Sequence, residues 1–173
     1  MIYWLGLDQK SNFKILDIGG RGGLFAYYCC SYGHDAYVSD LPSVLKKEPN
    51  SELLRLFNVK SIPLEIKAFE PVNTGGIKFD LITGFRTRFH SKLPFETGKK
   101  EEEYWGIKEW DFFLRDIAKN ILRENRRIFF MLNRLQEREK EAYPRELADF
   151  FLLKGGKLRQ QYLLFSTAKK LVS

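Results

Sequence analysis

Cysteine is scarce in this chain, two residues in 173, and the two are adjacent, Cys29-Cys30. Neighbouring thiols suit neither a disulfide framework nor a zinc site, so no metal is expected and the expected setting is a reducing cytoplasm. Long apolar runs are lacking as well. None approaches the roughly 20 residues that a bilayer crossing needs. Met1-Ile2-Tyr3-Trp4 has no basic flank leading into an apolar stretch, so neither a membrane span nor an export signal is expected. Six prolines and 13 glycines are no excess, which sets collagen-like and low-complexity classes aside. No repeat and no composition break divides the chain, so a single domain over 1–173 is expected. What the chain does have is 44% hydrophobic and 15% aromatic residues, enough for a sizeable core.

The net charge of +7 is uneven. Residues 1–86 carry 10 Lys/Arg against 9 Asp/Glu, and residues 87–173 carry 19 against 13. From Lys154 onward five residues are basic and none is acidic. Such a bias either draws anionic partners or marks a solvated basic surface.

Lys14–Ile18 is a short apolar run stopped by Gly19-Gly20-Arg21-Gly22-Gly23. Leu24, Phe25, Tyr28, Cys29 and Tyr32 then recur at helical spacing until Gly33. Ala36–Val38 predicts a second strand closed by Ser39-Asp40, residues 50–58 a helix, and Ser61–Ile66 a third strand weakened by Pro63. Phe79–Thr83 predicts a fourth strand after the turn at 73–76. Trp110, Phe113, Leu114, Ile117 and Ile121 lie on one helical face, and Arg127–Leu132 reads as a strand buried on both sides. Pro144 opens a helix that ends at Gly155-Gly156, and Leu158–Phe165 is a final strand or tight hairpin. Alternating strands and helices imply a mostly parallel sheet covered on both faces.

In open parallel sheets ligands bind beyond the carboxyl ends of the strands, near the switch in strand order. The glycine loop 19–23, Asp40 and the segment from Gly84 to His90 are placed there. A phosphate-cradling loop would end in Gly-Lys-Ser/Thr, whereas this one runs into Leu24-Phe25. A dinucleotide fingerprint would need a small residue where Phe25 stands. Asp40 can accept hydrogen bonds from a ribose diol, which suits any adenosine-type ligand.

Leu16-Asp17-Ile18-Gly19-Gly20-Arg21-Gly22-Gly23 resembles motif I of class I S-adenosylmethionine-dependent methyltransferases, with Asp40 matching the acid that ends their second strand. Trp105-Gly106-Ile107-Lys108-Glu109-Trp110-Asp111-Phe112-Phe113-Leu114 is similar to a Trp-Gly-x-x-Glu-Trp-x-Phe-Phe-Leu segment of a bacterial subgroup. The resemblance covers roughly residues 14–166. It implies an α/β fold, a Rossmann-like three-layer sandwich. Its mostly parallel sheet would have six or seven strands, the last of them antiparallel, and 86–108 would form a lid or insertion. It also implies S-adenosyl-L-methionine as cofactor. Asp17, Gly19, Gly20, Arg21, Gly22 and Gly23 would face its methionine part and ribose, and Asp40 and Leu41 the diol. Ala68 and Phe69 would flank the adenine, and Gly84 and Phe85 the floor near the methyl. Two departures stand out. The middle motif glycine is Arg21, whose guanidinium either points away or pairs with the donor carboxylate. The stretch after the fourth strand is Arg88-Phe89-His90, where the subgroup often has Cys-Phe-Asn.

His90 is the candidate general base, because imidazole titrates near neutrality. Arg86 and Arg88 are candidates for holding an anionic acceptor, with Trp105 and Asn133 at the acceptor pocket. His34 and Trp110 read as structural, and the cysteines as small packed residues. The expected acceptor is a small molecule or a glycan- or lipid-linked group, methylated at oxygen or nitrogen. An RNA methyltransferase using the basic carboxyl-terminal half is the alternative, although no Asn/Asp-Pro-Pro-Tyr/Phe motif follows the fourth strand. A catalytically inactive partner subunit is a third reading, and a homodimer a further partnership.

Overall fold

A computed structural model describes residues 1–9, 12–87, 89–92, 103–132, 144–167 and 171. The chain folds in the order β1 (Lys14–Ile18), α1 (Leu24–Ser31), β2 (Asp35–Asp40), α2 (Pro42–Leu45), α3 (Asn50–Phe57), β3 (Lys60–Pro63) and β4 (Phe79–Phe85). There follow β5 (His90–Lys92), β6 (Glu103–Tyr104), α4 (Ile107–Asp116), a π-helical turn (Ile117–Ile121), β7 (Leu122–Met131), α5 (Arg145–Leu153), β8 (Lys157–Arg159) and β9 (Tyr162–Phe165). Seven strands form one sheet in the order β3-β2-β1-β4-β7-β9-β8. The first five of that order run parallel, and β9 is antiparallel to both β7 and β8. The expected three-layer α/β architecture is the one found. The expected last strand is a hairpin, and β5 pairs with β6 in a separate two-stranded sheet within the segment predicted as a lid.

The central strands are buried on both faces because the chain alternates two sets of apolar side chains. Leu16, Ile18, Ile82, Ile128 and Phe130 face α4 and α5, whereas Ile15, Val38, Leu81 and Phe129 face α1, α3 and the amino-terminal segment. Pro63 closes β3 at the sheet edge, where its missing N–H costs no ladder bond, and Leu64 leaves the strand as a core residue. The predicted strand 61–66 is therefore shortened at its far end.

The α4 side is an aromatic core. Phe89 lies 4.6 Å from Trp110, 5.0 Å from Trp105 and 5.3 Å from Phe113, ring centre to ring centre, and Phe130 packs below them. Glu109 accepts the Gly106 N–H at 3.0 Å and so starts α4 from its first turn. At the other end, Asp116 accepts the Val72 N–H at 2.8 Å and the Asn120 amide at 2.8 Å, where the helix widens into the π-helical turn. On the opposite face His34 is buried. Its Nε2 lies 2.8 Å from the Leu7 carbonyl and its Nδ1 accepts the Phe13 N–H at 3.3 Å, a structural role as predicted. Among the described residues no helix is long and apolar enough to cross a membrane.

Phe130 has no exposed surface, and three aromatic rings, Phe89, Trp110 and Phe113, contact it in a buried layer. Phe130→Ala is expected to lower the unfolding free energy by about 3–5 kcal/mol. Chemical denaturation checks this, and a loss below about 1 kcal/mol would contradict the packing.

Candidate functional site

β1 and β4 are sequence-distant neighbours whose outgoing connections leave toward opposite ends of the sheet, so the crevice at their carboxyl ends is the switch point. From β1 the chain enters the hairpin 19–23. The N–H groups of Gly19 and Gly20 both donate to the Ser39 carbonyl, at 2.7 and 3.2 Å, which folds the hairpin back onto β2. Gly19 and Gly23 adopt φ of +72° and +75°, a conformation that costs glycine little. Gly20 is close-packed instead. A Cβ there would run into Val38 at 2.6 Å and into the Asp17 carboxylate.

Asp17 is 2% exposed beneath this hairpin. Its Oδ1 accepts the Thr83 hydroxyl at 2.8 Å, and its Oδ2 accepts no hydrogen bond among the described residues. Burial pushes its carboxyl up to about 7. The Thr83 hydrogen bond opposes this, and the nearby Asp40 charge adds to it. Asp40 is half-buried at the end of β2. Its Oδ2 accepts the Arg21 N–H at 3.1 Å and its Oδ1 the Leu41 N–H at 2.8 Å. Each oxygen keeps a further lone pair for a hydroxyl donor. Arg21 is exposed at φ +49°, a left-handed conformation that is costly for a residue with a Cβ. Its guanidinium has no hydrogen-bond or ionic partner among the described residues.

Beyond β4 the site is built differently from the expectation. Gly84 faces Phe130 and the α4 side, but strand alternation sends the Phe85 ring the other way. It packs 4.6 Å from Phe25 and 5.6 Å from Phe129, so it belongs to the α1-side core and not to a floor beside a ligand. Phe69 takes φ +61° and sets its ring edge-on to Phe112 of α4 at 5.9 Å, while remaining 52% exposed. Ala68 packs against the α4-side core. Trp105, predicted to line an acceptor pocket, is 3% exposed inside the aromatic cluster, with Nε1 unpartnered among the described residues. Its neighbours Phe89 and Trp110 draw it inward. Arg86 is exposed at φ +54°, held by its N–H on the Met131 carbonyl at 2.7 Å. Arg88 and Asn133 lie outside the described residues. His90 pairs with Tyr104 across β5 and β6, and its side chain is likewise outside the description.

Two residues at the site carry no motif signal. Thr83 reads as an ordinary strand residue, and Thr87 as a loop residue. Yet Thr83 partners Asp17, and the Thr87 hydroxyl donates to the Ile18 carbonyl at 2.8 Å. A polar residue breaking the apolar run of β4 is the only local hint of the first. Burial pushes the Cys29 thiol well above its ordinary range, whereas Cys30, expected as a packed residue, is exposed because it falls on the outward side of α1. Among the described residues no cluster of His, Cys, Asp or Glu has the makings of a metal site.

No protein-family model matches the chain, and no curated protein resembles it in sequence. Solved structures do match it. A TehB-like SAM-dependent methyltransferase from Corynebacterium glutamicum superposes with a TM-score of 0.55 at 15% identity, over 94% of this chain and 87% of the other. A ribosomal protein L11 methylase from Lactobacillus delbrueckii gives 0.52 at 14% identity, over 94% and 74%. An S-adenosylmethionine-dependent methyltransferase from Clostridium acetobutylicum gives 0.51 at 16% identity, over 76% and 47%. The chain spans only 34% of a candidate O-methyltransferase from Nostoc punctiforme and 57% of the PH0226 protein from Pyrococcus horikoshii. At these identities the likeness establishes the fold. It is a Rossmann-like α/β fold with antiparallel last strands, as in these methyltransferase structures.

The raised Asp17 carboxyl has a measurable consequence. Stability held by the neutral form is present in full below about pH 4 and lost as the pH rises through about 7. Asp17→Asn removes that titration. Relative to the variant, the wild type is expected to lose several degrees of Tm, on the order of 4–8 °C, between pH 5 and pH 8. Parallel melting curves across that range would contradict the burial argument.

Proposed function

We propose that this domain binds S-adenosyl-L-methionine at the carboxyl edge of β1 and β2 and directs its methyl group to an oxygen or nitrogen of a small-molecule, glycan- or lipid-linked acceptor. The observation that carries the reading is the pairing of a buried carboxyl, Asp17, with a glycine hairpin that has no room for a side chain at Gly20, beside the half-buried Asp40. The residues suit the donor's charges. An approaching cation favours the ionised form of Asp17, and an ammonium or a sulfonium is such a cation. Asp40 has lone pairs left for the ribose diol, and Gly19, Gly20, Gly22 and Gly23 permit close backbone approach. Arg21 projects from the hairpin with its guanidinium free for the donor carboxylate. When bound, the donor supplies an electrophilic methyl on a positively charged sulfur.

The chain's own contribution is alignment of the acceptor with that methyl and exclusion of water, which lowers a displacement barrier without covalent participation by the protein. His90, on β5 just past the crevice, is assigned the role of taking the acceptor's proton. Arg86 and Arg88 are assigned to an anionic group on the acceptor, and Asn133 to the acceptor side of the crevice.

Calorimetric titration with S-adenosylmethionine tests the reading. Binding is expected, and Asp40→Ala is expected to weaken it about tenfold or more, because it removes charge-assisted acceptors and loosens the Arg21 N–H. Binding near pH 6.5 is expected to release protons, seen as a heat that varies with the buffer's ionisation enthalpy, since a cation beside Asp17 lowers its raised carboxyl. Absence of heat in every buffer would remove the proposal. Binding without turnover on any acceptor would favour a partner-subunit role instead.

A further inference from the structure

The chain leaving β4 doubles back at the switch point, and the reversal is built at a cost. The Arg86 N–H bonds across to β7 at the Met131 carbonyl, and Arg86 then takes a left-handed backbone that a side chain disfavours. This turn drops Thr87 over the end of β1. Its hydroxyl donates to the Ile18 carbonyl at 2.8 Å. Room for the side chain comes from two glycines on neighbouring strands. A Cβ on Gly19 would meet the Thr87 Oγ1 at 2.7 Å and Cγ2 at 3.1 Å, and one on Gly84 would meet the same oxygen at 3.2 Å. Thr87 thus sits where the first hairpin glycine and the last residues of β4 come together.

We propose that Thr87 is a positioning residue for the nucleotide-binding hairpin. Its hydroxyl clasps the end of β1 and holds Gly19 and Gly20 in the orientation that directs their N–H groups onto Ser39 and leaves the hairpin's outer surface shaped for a ligand. The inference rests on the donor-binding reading above for its effect on affinity, but the clasp itself does not.

The test compares wild type, Thr87→Val and Thr87→Ser, by amide hydrogen exchange over residues 19–23 without ligand and by titration with S-adenosylmethionine. Thr87→Val keeps the shape and removes the hydroxyl. It is expected to speed exchange at Gly19 and Gly20 and to weaken binding about five- to tenfold. Thr87→Ser keeps the hydroxyl and is expected to stay within about twofold of wild type on both counts. Wild-type exchange in Thr87→Val, or a Thr87→Ser variant as impaired as Thr87→Val, would overturn the clasp. Faster exchange with unchanged affinity would overturn the positioning role. If the wild type itself bound no S-adenosylmethionine, the donor reading would fall, while exchange alone would still decide the clasp. Should Thr87→Val not fold, Thr87→Ala gives the same two readouts.

Discussion

Two backbone amides on one carbonyl organise this molecule's working edge. Gly19 and Gly20 both donate to the Ser39 oxygen, and that bifurcated contact bends the chain leaving β1 back across β2. Any other exit from a central parallel strand would leave its last polar groups facing the apolar layers. Once the bend is made, Gly20 presses on Asp17 and Val38, Gly22 on Leu53, and Gly23 on Leu54 and Val59. The hairpin is thereby locked to α3 and to β2 at the same time. Packing excludes side chains at its glycines, so apart from Arg21 it is main chain that the hairpin offers outward.

The same bend sets the electrostatics. Asp17 ends up under a lid of main chain with one hydroxyl partner, and Asp40 stands nearby with both oxygens engaged by N–H groups. Burial, with the Asp40 charge adding to it, makes Asp17 hold its proton into the neutral range. Such an arrangement is poor for stability and well suited to a ligand that is positive where it meets the sheet. Arg21, left-handed and with a guanidinium that has no partner among the described residues, adds the opposite charge at the hairpin's outer rim. A ligand carrying both signs of charge, with the cation inside and the anion outside, matches this polarity.

Local pattern carried most of the architecture. β1, α1, β2, α3 and β4 all announce themselves through apolar period and glycine stops, and Asp17 and Asp40 are conspicuous as acids at strand ends. What local pattern missed depends on contacts between distant segments. Thr83 and Thr87 look like ordinary strand and loop residues until β4 is laid against β1. Trp105 lies outside the helical stripe that marks Trp110, yet Phe89, far back in sequence, closes over both. Phe85 was misjudged by one step of the strand alternation, which decides whether a ring faces the crevice side or the core under α1. The neutral-range carboxyl of Asp17 has no sequence signature, because desolvation is a property of what surrounds a group.

The strained residues make the last connection. Arg21 and Arg86 both adopt left-handed backbone. Glycine would take those angles freely, so each arginine holds its conformation against a local cost that the surrounding bonds must cover. For Arg86 the covering bond is its N–H on Met131, and for Arg21 it is its N–H on Asp40. One bond leans the exit of β4 toward β7, and the other leans the exit of β1 toward β2. The two exits thus lean toward different neighbouring strands, and the Thr87 hydroxyl on the Ile18 carbonyl ties one to the other at the switch point.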